Sequence, residues 1–262
     1  MKQTACLALL FAASAGTNVL AQEEGKDLAK QLANPLASLI SVPIQSNLDF
    51  GIGAGEGTKF STNVQPVVPI TINQDWNLIS RTIVPIIDQE GIALDGSRDA
   101  SGLGDTVQSF FFSPASSDPI WGIGPVFLLP TATDAVLGGE KWGIGPTAVV
   151  LKQTGPWTYG MLANHLWDFA GDDARSEVNA TFVQPFVAYI TASKTTFTLS
   201  TESTYDWTND QWTTPVNFVV SQMLKLGEQP VQLFGGARYY AETAEGGPDW
   251  GFRAGLTFLF PK

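Results

Sequence analysis

The sequence predicts an all-β protein: a twelve-stranded antiparallel transmembrane β-barrel with a short N-terminal amphipathic helix. Three observations predict it. The chain opens with the layout of a secretory leader. Beyond residue 37 it divides into twelve extended segments, most of them longer than the roughly 5–6 residues usual in soluble domains. The tryptophans gather at the ends of those segments.

The bulk numbers permit this reading. Hydrophobic residues make up 44%, an ordinary globular value, so no long apolar helix is needed to account for them. A barrel whose strands show apolar and polar residues in turn has that balance too. Charged residues are only 15%, against roughly 25% in a typical soluble domain. The net charge is −11 and no cluster of Lys or Arg occurs, which excludes the basic footprint that nucleic acid requires.

Taken in order, the first element is residues 1–21, read as a secretory signal. Lys2 supplies the positive end, Ala5 to Ala15 the short apolar run, and Val19-Leu20-Ala21 the cleavage site, so Gln22 is expected to begin the mature chain. Cys6 is the only cysteine and leaves with the leader. An exported protein without disulfides needs another closure, and a barrel's continuous ladder is one.

Residues 22–36 form the second element. Leu28, Leu32, Leu36 and Leu39 recur at helical spacing, and Pro35 should stop the helix near Ala33, so a short helix is expected at about 25–33. It could rest against the end of the barrel or plug its lumen.

Residues 37–262 are expected to form the barrel, with strands at about 37–50, 58–73, 76–90, 102–113, 119–130, 141–153, 157–170, 178–191, 195–206, 212–226, 230–241 and 249–260. A tilted strand crosses a bilayer in about 9–11 residues. The last strand, "DWGFRAGLTFLF", places Trp250, Phe252, Ala254, Leu256, Phe258 and Phe260 on one face. That face is expected to meet lipid, and Arg253 on the other face the lumen. In "TTFTLSTESTYD" the second face is wholly polar and includes Glu202; in "TKFSTNVQ" it begins with Lys59. Faces cannot be assigned for 76–90 and 157–170, where alternation is poor.

The connections alternate as well. The turns at 74–75, 154–156, 192–194 and 227–229 are short, whereas 91–101, 131–140, 171–177 and 242–248 are longer and acidic. Short turns at one end and longer loops at the other are the layout of an outer-membrane barrel. Trp76, Trp121, Trp142, Trp157, Trp207, Trp212 and Trp250 are the expected interfacial aromatics, with Trp167 one turn further in. Seven prolines inside the strands, at 66, 69, 85, 125, 146, 185 and 215, oppose the reading, because proline cannot donate to a ladder. Bulges or interruptions are expected there. "GIGPV" and "GIGPT" precede no helix, so they read as close packing or a bend and not as a phosphate loop.

The candidate functional residues are the lumen-facing charges Lys59, Glu202, Arg238 and Arg253, which could form a constriction. Arg238 and Arg253 are symmetric about the last loop and are expected to be cross-strand neighbours, tolerable only with an acid or an anionic solute between them. No catalytic, cofactor or metal site is expected. His165, the lone histidine, has Ala163 and Trp167 beside it on its own face and no local serine to activate. The acids of "GDDARSE" fit no metal-loop spacing.

Several blocks, among them "ISVPIQSNLDFGIG", "DWNLISRTIVPII", "GLGDTVQSFFFSP", "GPVFLLPTATD", "LGGEKWGIGPTAVVL" and "NHLWDFAGDD", resemble a family of bacterial outer-membrane β-barrels. Its members are labelled as transporters or as relatives of a MetA-pathway phenol-degradation protein, some under the misnomer neuromedin U. The resemblance spans about 28–262 and implies an outer-membrane barrel with membrane lipids and a small-molecule solute as partners. It carries no catalytic motif. The chain departs from the usual outer-membrane ending, since Pro261 and Lys262 follow Phe260. A channel for small solutes is the expected function; a non-transporting structural or binding barrel is the alternative.

Overall fold

The structure, a computed structural model, describes residue 25 and residues 27–261. The expected leader lies outside the described residues. Among these, twelve strands cross the wall: β1 (Ile40–Ile52), β2 (Gly57–Val64 and Val67–Thr71), β3 (Trp76–Glu90), β4 (Ala100–Leu103 and Thr106–Pro114), β5 (Ile120–Leu129), β6 (Lys141–Thr154), β7 (Trp157–Gly171), β8 (Asn179–Ile190), β9 (Thr195–Thr201 and Ser203–Asp206), β10 (Gln211–Leu226), β11 (Gln229–Glu242) and β12 (Trp250–Phe260). Each pairs antiparallel with the next, and β12 pairs with β1 from Ile40↔Phe260 to Phe50↔Trp250. The sheet is therefore closed and has no free edge, the condition for backbone polar groups to sit in hydrocarbon.

Sequence alternation becomes an inside and an outside. On β12, Phe252 and Phe260 are exposed on the outer wall, while Arg253, Thr257 and Leu259 are buried on the inner one. Ile44, Phe60, Ile86, Phe112, Ile144, Leu199, Phe218 and Leu233 continue the exposed apolar belt. In water so large an apolar surface would drive association; around a closed barrel it is a lipid-facing belt.

Three tryptophans mark the end with the short turns: Trp76 and Trp157 open β3 and β7, and Trp121 is second in β5. The other five, Trp142, Trp167, Trp207, Trp212 and Trp250, lie toward the longer loops. Aromatic partners hold all of these but Trp142, with Trp76 edge-on to Trp121 at 6.0 Å and Trp250 stacked on Phe50 at 4.6 Å. Reconstituted into bilayers, the protein should show tryptophan emission quenched strongly by lipids brominated near the headgroup and weakly by aqueous iodide.

Four of the seven in-strand prolines resolve in two ways. Pro66 and Pro215 lie where β2 and β9 divide or face the division. Glu202 N–H donates to Pro215 O at 3.2 Å, and Pro215 has no N–H to return. Pro215 also adjoins a register shift against β11, so a bulge takes it up there. Pro125 and Pro146 face each other between β5 and β6. Each sits where the ladder to the strand on its far side is interrupted: β4 to β5 between Ser109↔Val126 and Phe112↔Ile123, β6 to β7 between Ile144↔Trp167 and Thr147↔Asn164. Beside them Gly124 and Gly145 allow the backbone to press against the carbonyls of Phe110 and His165, where a Cβ would collide. That is why both "GIGP" motifs need their glycine.

Residue 25 and residues 27–32 are helical, and the helix ends before Pro35 as expected. It lies within the end of the barrel that carries the short turns. Leu28 and Ala29 pack with Leu39, Ile190, Met223 and Leu259, and Leu36 packs with Ile79, Phe111, Val149, Leu151 and Leu162. Gln153 Nε2 donates to Lys30 O at 2.8 Å. These partners are inward-facing wall residues, so the segment occupies the lumen and is not merely set against its rim.

Candidate functional site

The lumen above this segment is polar. A cavity of about 1550 Å³ runs from the longer loops inward, and a smaller chamber of about 300 Å³ separates it from the N-terminal segment. Lys59, Glu202, Arg238 and Arg253 all line the larger cavity.

Their arrangement follows from strand register. Reading around the wall, Lys59 on β2 pairs with Asp49 on β1, Asp49 with Gly251 on β12, Gly251 with Arg238 on β11, and Arg238 with Asn217 on β10. Gly251 leaves an opening through which Arg238 Nη1 approaches Asp49 Oδ2 at 3.5 Å. A Cβ at Gly251 would meet the Asp49 carboxylate and the Leu48 carbonyl. Gly251→Ala should therefore destabilise the barrel by about 1–3 kcal/mol, as overpacking against a fixed backbone does. Urea unfolding in lipid vesicles measures it; an unchanged midpoint would contradict this account. The Arg238 guanidinium carbon also lies 5.3 Å from the centroid of the Tyr240 ring, a cation–π contact.

The expectation that Arg238 and Arg253 are direct cross-strand neighbours is corrected. Arg238 pairs with Gly251, and Arg253 pairs with Gly236. The loop between the strands is asymmetric, with Tyr240 N–H donating to Asp249 O at 2.9 Å, and this moves the register by two residues. The acid that such neighbours would need is nonetheless there. Glu202, from β9, accepts two hydrogen bonds from Arg253, at 2.8 Å from Nη1 and 2.7 Å from Nη2, and lies 3.8 Å from Arg238 Nη2. Arg253 Nε donates to Asn47 Oδ1 at 2.8 Å. The paired fork on a carboxylate is the strong geometry for guanidinium.

Two members of this belt were not visible in the sequence reading. Asp49 is buried and bridges toward Lys59 and Arg238. It stands at even spacing from Asn47 and Gln45, a polar face that could have disclosed it. Arg81 lies in β3, whose faces could not be assigned. It lines both cavities and donates from Nη2 to Gln65 Oε1 at 3.1 Å. At the mouth, the acids are structured by their own loops. Ser97 hydrogen bonds hold the Asp95 carboxyl below the usual carboxylate range, so it is ionised at neutral pH.

His165 lies on the outer wall. Its Nδ1 is 2.7 Å from Thr181 Oγ1, its cross-strand partner on β8, and Trp207 Nε1 donates to the same hydroxyl at 2.8 Å. That hydroxyl comes from another strand, so spacing along the chain could not reveal it. Among the described residues His165 Nε2 has no hydrogen-bond partner. Nor is any group of three His, Cys, Asp or Glu among the described residues placed to hold a metal ion.

No family profile matches the sequence, and no curated protein matches it. Solved structures do match in fold. An outer membrane channel from Pseudomonas putida F1 is similar with a TM-score of 0.65 at 16% identity, over 85% of this chain and 94% of that one. Weaker likenesses are the outer membrane phospholipase of Salmonella typhi, with a TM-score of 0.48 at 10% identity over 84% and 90% of the two chains, and the beta domain of the Bordetella autotransporter Brka, at 0.45 and 10% over 86% and 100%. The closed twelve-stranded wall, the apolar outer belt and the first of these likenesses agree: the architecture is that of a bacterial outer-membrane β-barrel.

Proposed function

We propose that this barrel is a channel for small solutes across the outer membrane, with its N-terminal segment as the plug. One observation carries the reading. The lumen is stopped at one end by the chain's own residues 25–39, while the rest of it is a large polar cavity open toward the longer loops. With twelve strands the lumen is wider than the roughly eight-stranded barrels that wall side chains can fill, and at this end it is the N-terminal segment that closes it. Here the stopper precedes β1 and takes no part in the ladder, so it can leave without unpairing a strand. The resemblance to barrels labelled as transporters and the fold likeness to a solved outer membrane channel support the same reading.

The apolar packing of Leu28, Ala29, Leu36 and Leu39 favours the second reading, a permanently closed structural or binding barrel. Liposome swelling separates the two. Proteoliposomes of the full chain should swell in isosmotic solutions of small solutes, faster as the solute shrinks. Swelling no faster than protein-free liposomes, with insertion verified, would favour the closed barrel.

A further inference from the structure

We propose that the lumen contains a carboxylate-binding site centred on Arg81, and that the solute carried is a small organic acid with an apolar body. The proposal rests on the channel reading above.

The first argument is charge balance. The larger cavity is lined by five cations and four carboxylates; Arg98, Asp95 and Glu245 belong to the loops at its mouth, so on the strands below them four cations, Lys59, Arg81, Arg238 and Arg253, face two carboxylates, Asp49 and Glu202. The protein as a whole is strongly acidic, at −11, so the positive excess is local. Such an excess concentrates anions on the inner stretch of the lumen, below the mouth.

The second argument is which cation is left over. Arg253 is engaged by Glu202 and Asn47, and Arg238 by Asp49 and Glu202. Arg81 interacts electrostatically with Glu202 but forms no ion pair within 4.0 Å among the described residues. Among the described residues its one side-chain hydrogen bond goes to Gln65. A guanidinium has five N–H donors in a flat fork, so most of this one remains available to an anion.

The third argument is place. Arg81 lines the junction of the two cavities, on the path from mouth to plug. Beyond it, the inner chamber mixes polar side chains, among them Ser41, Gln184 and Thr196, with a larger apolar surface from Leu32, Val67, Leu162 and Phe186. A carboxylate on Arg81 with a hydrocarbon chain or one aromatic ring behind it would match both parts. At about 300 Å³ the chamber is at the low end of ligand pockets, which suits a short-chain or single-ring acid.

The test is isothermal titration of the full chain in neutral-lipid nanodiscs, with empty nanodiscs as the blank. The probes are phenylacetate and hexanoate against their neutral counterparts 2-phenylethanol and hexan-1-ol. The acids should bind about tenfold or more tightly than the alcohols, the scale of a charge-assisted hydrogen bond. Arg81→Gln should bring acid and alcohol to the same affinity, while Lys152→Gln, at the exposed end of β6, should change nothing. Arg81→Lys keeps the charge but loses the fork, so its acid affinity should fall between the two and serves if the glutamine variant does not fold. Equal affinity of acid and alcohol for the wild type, or acid affinity unmoved in both Arg81 variants, would overturn the site. Binding is read without transport. Acid binding through Arg81 in a barrel that passes no solute would keep the site and remove the channel reading; passage without such binding would do the reverse.

Discussion

Deleting residues 22–36 is expected to raise single-channel conductance in a planar bilayer several-fold over the full-length protein. The argument starts from what the segment touches. Leu28, Ala29 and Leu36 are buried against inward-facing residues of the wall, and Gln153 fixes the helix through the carbonyl of Lys30. Burial of each leucine contributes about 1.5–3 kcal/mol, enough to keep the stopper seated but small beside the twelve-stranded ladder. The ladder begins at Ile40 and closes on Phe260, outside the deleted stretch, so the truncated barrel should still insert. A second variant, Leu36→Glu, places a charge among Ile79, Phe111 and Leu162 and should loosen the plug without shortening the chain. Its conductance should lie between those of wild type and truncation, with frequent transitions between levels. If truncated, substituted and full-length proteins are all silent while inserted, the lumen is blocked by something other than the N-terminal segment, and the channel reading falls with it.

The plug also explains which parts of the fold could be read in advance. All twelve strands were legible, because polar and apolar residues alternate wherever lumen faces one way and lipid the other. The stretches 76–90 and 157–170 kept their strand lengths but hid their faces. Ile79 in the first and Leu162 in the second point inward against Leu36, so both faces of those strands are apolar near the plug. Loss of alternation there reports a tertiary contact that a period-two pattern cannot express. Arg81 was missed for the same reason, since it lies in the strand whose faces could not be told apart. The charges on cleanly alternating strands, Lys59, Glu202, Arg238 and Arg253, were readable as lumen-facing, but the pairing of the last two was not. Register depends on the geometry of the loop at 243–249, and its asymmetry does not show in its length.

Replacing Glu202 with glutamine should have the largest effect of any single substitution in the lumen, on both stability and selectivity. Glu202 is the acceptor on which Arg253 closes its fork, and it lies 3.8 Å from Arg238. Glutamine has the same shape but one acceptor oxygen and no charge. Arg253 then keeps Asn47 and loses half its fork, and of the two guanidiniums only Arg238 still has a carboxylate partner, Asp49. Removing one partner of a fully buried pair costs about 3–5 kcal/mol, but the Glu202 side chain is 22% exposed in a polar lumen, so about 1–3 kcal/mol is expected. Urea unfolding in vesicles should show this loss, and a double-mutant cycle with Arg253→Gln should return part of it, because the second change removes the stranded charge. The same substitution takes one of two carboxylates from a belt of four cations, so the reversal potential in a salt gradient should move toward anion selectivity. An electrostatic belt predicts the two effects together. A loss of stability with no change in selectivity would mean that ions do not pass Glu202, and that Arg253 and Glu202 together brace the wall instead of lining the path.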